Sequence, residues 1–269
     1  MLGLALCACA AAQAAEDVRL WHALDANLAV QLERLATDYN AAQSEFRVRL
    51  EHFGREPERL VRLSLPINTA RPVLFYNRDA FRRARLDPLA VPKTWYEMPG
   101  ILGALADAGQ SCGYTTAWPA WVLLENSGGA FSRQMMVRWT SMLATWEKSG
   151  FFSYSGRADE AEARFAAGEC AILTSSSTSR AELAKRARFE VGVAPLPYYD
   201  DSGVASRALP GGAPVVWAER QSVGVTSFFA FLATRAAQAR RQREALELQL
   251  EAVWRGDKTA PDALNALGR

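Results

Sequence analysis

The chain has 269 residues, of which 49% are hydrophobic and 22% charged, with 31 basic and 29 acidic side chains. This composition is typical of a soluble globular protein and excludes an intrinsically disordered chain. The net charge of +2 gives no basis for binding nucleic acid or an anionic membrane surface. After the first fifteen residues, no apolar run approaches the ~20 residues that a transmembrane helix needs. The length suits one large domain or two modest ones, in an enzyme or in a binding protein.

The N-terminal segment has the features of a secretory signal peptide. Residues 1–15 carry no charge, and their apolar stretch ends in the small-x-small sequence Ala12-Gln13-Ala14. This pattern predicts that residues 1–14 are removed and that the mature protein, residues 15–269, is periplasmic. The basic residues that usually open such a peptide are missing. Two alternatives stay open: a buried N-terminal helix, and a lipobox-like site at Cys9.

The rest of the chain alternates predicted strands with predicted helices, which indicates α/β layers. In chain order the pattern predicts strand 18–23, helix 27–42, strands 46–53 and 72–76, helix 79–85, a helix opened by a capping box at 94–97, helices 132–149 and 160–167, strand 171–174, helix 180–188, strands 189–194 and 214–217, and helices 222–234, 236–254 and 261–267. No stretch rich in glycine, proline or serine marks a domain boundary.

Removal of the leader would leave two cysteines, Cys112 and Cys170. In an oxidising periplasm they can close a long loop, and such a disulfide is worth roughly 4 kcal/mol by chain-entropy estimates. Two independent buried thiols are the alternative.

The sequence offers little evidence for catalysis. It contains no G-x-S-x-G elbow, no Walker loop and no G-x-G-x-x-G. Its two histidines, His22 and His52, belong to no H-x-x-x-H or C-x-x-C metal pattern. A pair of carboxylates for glycoside hydrolysis stays open, since such pairs are spatial. Asp159, Glu160 and Glu162 are instead interpreted as a solvated helix start.

Features suited to ligand binding are more numerous. Trp118 and Trp121 flank Pro119 on a predicted loop, where two indoles can stack on a polyol; a core aromatic pair is the alternative. The serine run 175–179 precedes a helix, so that Ser176 and its neighbours can bind an anion or form a simple N-cap. Gly211-Gly212 allows close backbone approach to a ligand, or forms a turn.

These features occur together in a known family, since several segments resemble extracellular solute-binding proteins of bacterial ABC importers. The segments are 20–24, 72–81, 92–95, 112–114, 118–126, 152–157, 168–171, 175–177, 211–213 and 253–254. The resemblance implies a two-lobed periplasmic-binding-protein-like α/β fold, reduced in size, with a ligand held between the lobes. It implies a monomer that delivers its ligand to membrane ABC permease subunits, with no catalysis and no cofactor.

Within that family, the central segments are most similar to members that bind glycerol-3-phosphate. The resemblance implies that Trp118 and Trp121 form the aromatic walls around the glycerol part, and that Ser176 and Gly212 contact the ligand. It further places Ala70 at a family serine, with Arg71 beside it. The expected ligand is sn-glycerol-3-phosphate or a related glycerophosphodiester.

The chain also departs from the family. A family tyrosine falls near Glu56, and a helix, a strand and an acidic ligand contact are expected to be missing between Leu60 and Ser64. Further segments are absent near Gly129 and between Ala237 and Gln242, where the family carries a tyrosine and an arginine for the ligand. Phosphate binding should therefore be weakened unless Arg71 or another cation reaches the site. A sugar-binding or degenerate homologue, and a secreted hydrolase, are the alternatives.

Overall fold

A computed structural model of the chain describes residues 15–24, 26–53, 59–65, 70–126, 133–199 and 215–267. The predicted signal peptide, Glu56, Gly129 and the predicted ligand residue Gly212 lie outside these residues. The chain divides into two compact units: unit 1 is Met1–Thr69 with Gly211–Gln238, and unit 2 is Ala70–Pro210 with Ala239–Arg269.

The described residues form eight strands and nine α-helices. In chain order they are β1 (Glu16–His22), α1 (Ala26–Ala42), β2 (Phe46–His52), β3 (Val61–Ser64), β4 (Pro72–Asn77), α2 (Arg78–Arg83), α3 (Met98–Asp107), β5 (Cys112–Thr116), α4 (Pro119–Asn126), α5 (Arg133–Lys148), α6 (Glu160–Ala166), β6 (Cys170–Ser176), α7 (Arg180–Arg186), β7 (Val191–Pro195), β8 (Val215–Ala218), α8 (Val223–Trp254) and α9 (Ala260–Asn265). A 3-10 turn, Ser177–Ser179, joins β6 to α7. Each unit contains a four-stranded sheet with helices, so the predicted α/β class is confirmed.

Unit 1 is built on a βαβ crossover. The sheet order is β2-β1-β8-β3, with β1 and β2 parallel and joined by α1. The helix presents Leu28, Leu32 and Tyr39 to the sheet, which is the spacing expected of an amphipathic helix. The Tyr39 hydroxyl donates a hydrogen bond to Ser227 Oγ at 2.8 Å, so α1 is also tied to the first half of α8.

Unit 2 has a sheet of order β5-β6-β4-β7, covered on both faces. β5 and β6 are parallel, whereas β4 is antiparallel to both of its neighbours. One face packs against α3, α5, α9 and the second half of α8, around Trp95 and Trp139. The other face packs Phe75 against Phe165 of α6.

A disulfide joins the two parallel strands of unit 2. Cys112 of β5 and Cys170 of β6 occupy the same register position and are bonded through their sulfurs. Of the two alternatives that the sequence leaves open, the structure contains the disulfide.

Four predictions about local structure are wrong. The residues 94–97 do not cap α3, which begins at Met98; the Glu97 carboxylate instead accepts a hydrogen bond from Lys93 N–H at 2.7 Å. Trp121 lies in α4 and not on a loop. The two helices predicted on either side of Arg235 are one helix, α8, because residues 235–247 include no glycine or proline to end it. β3 occupies residues where the resemblance indicated that a strand was missing.

Within the described part of the chain, no helix combines the length and apolarity needed to cross a membrane.

Candidate functional site

The predicted ligand residues of unit 2 gather at one edge of its sheet. β5 and β6 end there at Thr116 and Ser176, and β4 begins there, with Pro72 opposite Ser176. We call this edge, made of Arg71, Trp118 and residues 175–179, the serine edge. Ligands of α/β proteins bind outside the carboxyl ends of parallel strands, which is the position of this edge on β5 and β6.

The serine run turns sharply at Ser176. This residue has extended backbone angles, and its Oγ accepts a hydrogen bond from Thr178 N–H at 3.2 Å. Its Oγ also lies 2.6 Å from Thr178 Oγ1. Ser176 is therefore the N-cap of the 3-10 turn. Either hydroxyl can be the donor in this second contact. Where Ser176 Oγ accepts, its own proton is available to a ligand.

Two other serines of the run are already committed to a carboxylate. Ser175 Oγ and Ser179 Oγ donate to Glu162 Oε1 at 2.5 and 2.6 Å. The interpretation of Glu162 as part of a solvated helix start is wrong, since only 9% of this residue is exposed. Because side chains alternate along a strand, Ser175 faces α6 while Ser176 faces the opposite side of the sheet. The serine edge therefore has fewer hydroxyls for an anion than the run of serines suggests.

The structure brings Arg71 next to these serines. Its backbone N–H donates to Ser177 Oγ at 3.2 Å, and its carbonyl oxygen accepts from Ser177 N–H at 2.8 Å. Arg71 thus precedes β4 directly beside the turn that follows β6. These two contacts fix the backbone of Arg71 at the serine edge.

The two tryptophans of the predicted pair have different environments. Trp118 is 40% exposed and lies at the turn between β5 and α4, whereas Trp121 is 8% exposed and packs in the core of unit 2. Trp118 has a positive φ of 50°, which is uncommon for a residue with a side chain. Its N–H donates to Ala158 O at 2.9 Å, and its carbonyl accepts from Val122 N–H at 2.9 Å. These bonds hold the turn in place while its indole remains accessible.

Under the serine edge lies a chain of buried hydroxyls. Tyr114 Oη is 2.8 Å from Thr174 Oγ1, which donates to Thr116 Oγ1 at 2.8 Å. Burial raises the pKa of the Tyr114 phenol far above its ordinary value, so this side chain stays neutral. The chain fixes the ends of β5 and β6 relative to each other.

The carboxyl of Glu247, which no sequence pattern singles out, supports the Trp118 turn. Glu247 Oε1 accepts a hydrogen bond from Ala120 N–H, in the first turn of α4, at 2.8 Å. Its Oε2 is buried and has no hydrogen-bond partner among the described residues. Burial raises the pKa of Glu247 to about 8, Arg157 and Arg243 oppose that rise, and Glu160 adds to it. The two partners are 127 residues apart in sequence, so no local pattern could have identified the contact.

A second carboxylate on α8, Glu251, is also buried. It accepts from Arg157 Nε at 2.5 Å and is paired with Arg255. Arg157 is therefore held against the C-terminal half of α8 by its ion pair with Glu251. Among the described residues, no group of three or more His, Cys, Asp or Glu side chains is arranged to hold a metal ion.

Comparison with known families places the chain in one of them. The family described as bacterial extracellular solute-binding protein matches residues 7–239, and the chain belongs to this family. The resemblance noted from the sequence is thereby confirmed.

More specific relatives are sn-glycerol-3-phosphate-binding periplasmic proteins. UgpB of Escherichia coli (strain K12) and UgpB of Salmonella typhimurium are each 36% identical to the chain over 197 residues. The match covers 64% of this chain and 45% of each relative. The chain thus spans about half the length of the curated relatives that it matches.

Solved structures agree on the fold. UgpB from Mycobacterium tuberculosis in complex with glycerophosphocholine has a TM-score of 0.54 at 15% identity, covering 94% of this chain and 97% of that chain. The cyclic alpha-maltosyl-1,6-maltose binding protein from Arthrobacter globiformis has a TM-score of 0.52 at 16% identity, with the same coverage. At such identities these structures show a shared fold.

Proposed function

We propose that the chain is the solute-binding component of a bacterial ABC importer and captures sn-glycerol-3-phosphate or a related glycerophosphodiester. Membership of the solute-binding family and 36% identity to UgpB support this function. The feature of this chain that supports a ligand site is the serine edge, to which Arg71, Ser176 and the exposed Trp118 belong. The protein acts as a monomer, without catalysis, cofactor or nucleic acid, and delivers its ligand to membrane permease subunits.

In this proposal each residue of the serine edge contacts a different part of the ligand. Arg71 supplies a guanidinium, which binds phosphate oxygens with charge-assisted hydrogen bonds. Ser176 donates its hydroxyl proton, and Ser177, whose Oγ already accepts from Arg71 N–H, can donate its own. Trp118 offers an aromatic face to the glycerol carbons. Trp121 and Gly212 are retained from the family resemblance as further contact positions.

We expect the affinity for sn-glycerol-3-phosphate to be weaker than that of a site with a full set of phosphate contacts. A dianion that loses its hydration needs several charged or polar partners. Two of the nearby serine hydroxyls are bonded to Glu162, and Arg157 is paired with Glu251. In this proposal Arg71 is the cation assigned to the phosphate.

Calorimetric titration with sn-glycerol-3-phosphate tests the site. Arg71→Ala should weaken binding by about tenfold to a hundredfold, because hydrogen bonds to charged groups contribute about 1.5–3 kcal/mol each. Ser176→Ala should weaken it by a smaller factor. Arg83→Ala, an exposed arginine on α2, is the matched control and should bind like the unmodified chain.

The same titration separates the alternatives. Tight binding that neither Arg71→Ala nor Ser176→Ala changes would show that the phosphate contacts lie elsewhere. Saturable binding of maltose without binding of glycerol-3-phosphate would favour a sugar-binding protein. Release of glycerol or phosphate during the titration would favour a hydrolase.

We also propose that the protein is exported and that the leader is removed after Ala14. Mass spectrometry of protein recovered from the periplasm of a bacterial host should find Ala15 at the N-terminus. An uncleaved chain beginning at Met1 in the cytoplasm would contradict export.

A further inference from the structure

The only two histidines of the chain lie side by side in unit 1. His22 ends β1 and His52 ends β2, and the parallel register pairs them directly. Their ring centroids are 5.5 Å apart, and the ring planes meet at 81°. The two imidazoles therefore project from the same face at the carboxyl ends of two adjacent strands.

His22 has an unsatisfied polar atom in a buried setting. The residue is 3% exposed, and its Nδ1 has no hydrogen-bond partner among the described residues. A buried polar atom without a partner is costly in a folded protein and commonly marks a position for a water molecule or an ion. A neutral imidazole nitrogen is the common metal ligand of proteins.

The separation of the rings fits a shared ion. A metal bound at about 2.0–2.1 Å by one nitrogen of each ring lies about 3.2 Å from each ring centroid. A tetrahedral angle at the metal then places the two centroids about 5.2 Å apart, close to the observed separation. His52 is exposed, so its ring can turn about its side-chain torsions to direct a nitrogen toward that point.

We propose that His22 and His52 form a two-histidine chelate for a divalent transition-metal ion, with water in the remaining coordination positions. Imidazole ligands suit zinc, copper and nickel, whereas magnesium and calcium prefer oxygen ligands. The Glu33 carboxylate acts on His22 electrostatically, and its negative charge favours a nearby dication. The site lies wholly within unit 1 and does not depend on the proposed transport function.

Isothermal titration with Zn²⁺ at neutral pH tests the proposal. The full chain should carry Cys7→Ser and Cys9→Ser, so that the histidines are compared without free thiols. His52→Gln removes one ligand from an exposed position and should leave the fold intact. Loss of a partner that merely orients a ligand costs about 10–100-fold in metal affinity, so loss of a ligand itself should weaken binding at least as much. Glu51→Gln, an exposed neighbour on β2, is the matched control.

The Zn²⁺ affinities of the two variants and the ¹⁵N resonances of the two imidazoles together test the proposal. Saturable Zn²⁺ binding that His52→Gln weakens and Glu51→Gln does not, with shifts of both imidazole ¹⁵N resonances, would support the chelate. If the unmodified chain shows no saturable Zn²⁺ binding, or if His52→Gln binds as tightly, the proposal is wrong. His22→Gln is a weaker test because this buried residue also packs in unit 1.

Discussion

Replacement of Glu247 by glutamine should make the protein more stable at neutral pH. Glu247 Oε1 accepts the Ala120 N–H, and burial raises the pKa of this carboxyl from 4.5 to about 8. An acid whose pKa is higher in the folded protein favours folding only while it is protonated. Its contribution is therefore fully present below about pH 4.5 and is lost as the pH rises through about 8.

The size of the Glu247 pKa shift determines how much the free energy of unfolding changes with pH. Each unit of pKa corresponds to about 1.4 kcal/mol, so complete ionisation of Glu247 reduces the free energy of unfolding by about 5 kcal/mol. At pH 7, Glu247 is ionised in the unfolded chain and mostly protonated in the folded protein. This difference lowers the free energy of unfolding by about 3 kcal/mol. Glutamine keeps the acceptor for Ala120 and cannot ionise. Glu247→Gln should therefore gain about 3 kcal/mol at pH 7 and nothing at pH 4.

Urea unfolding at pH 4, 6, 7 and 8, followed by tryptophan fluorescence, measures this difference. The signal reports mainly on unit 2, which contains six of the eight tryptophans. Glu244→Gln, an exposed position on the same helix, is the control and should follow the unmodified protein. Parallel pH curves for Glu247→Gln and the unmodified protein, or equal destabilisation of the variant at pH 4 and pH 7, would refute the reasoning.

Two further predictions concern unit 2. Cys112→Ala combined with Cys170→Ala should lower the free energy of unfolding by about 4 kcal/mol, because the disulfide closes a loop across a sequence separation of 58 residues. Reducing agent should destabilise the unmodified protein and leave the double variant unchanged; equal urea midpoints in all conditions would contradict this. Trp118→Ala should change the free energy of unfolding by less than about 1 kcal/mol and should abolish any ligand-induced change in the tryptophan fluorescence of the protein. Trp121→Ala should lower the free energy of unfolding by about 3–5 kcal/mol. Equal loss of stability in the two tryptophan variants would contradict the different burial of these side chains.

The sequence by itself determined most of the local structure. The spacing of Leu28, Leu32 and Tyr39 predicts α1, and the apolar run from Pro72 predicts β4, because burial of one face imposes a period that the chain displays. Gly150 and Gly168 directly follow the predicted helices 132–149 and 160–167, and both have the positive φ that only glycine adopts readily. The family was also predictable, since its motifs are local runs of residues.

The candidate site depended on contacts between distant segments. The sequence selected Ser176, Trp118 and Arg71, but it could not show that Arg71 lies beside Ser177, which follows a different strand. It placed Glu162 in solvent and treated Trp118 and Trp121 as a pair, whereas the fold buries Glu162 and Trp121 and exposes Trp118.

Only the tertiary structure decided which groups lose their water. The Cys112–Cys170 bond, the Glu162 contacts with two serines and the Glu247 contact with Ala120 each join segments that are separate in the chain. A periodic pattern reports which face of one element is apolar, but it carries no information about the partner that will cover a given polar group. Burial and pairing of polar groups depend on that partner, so their energies follow from the packed fold and not from local sequence.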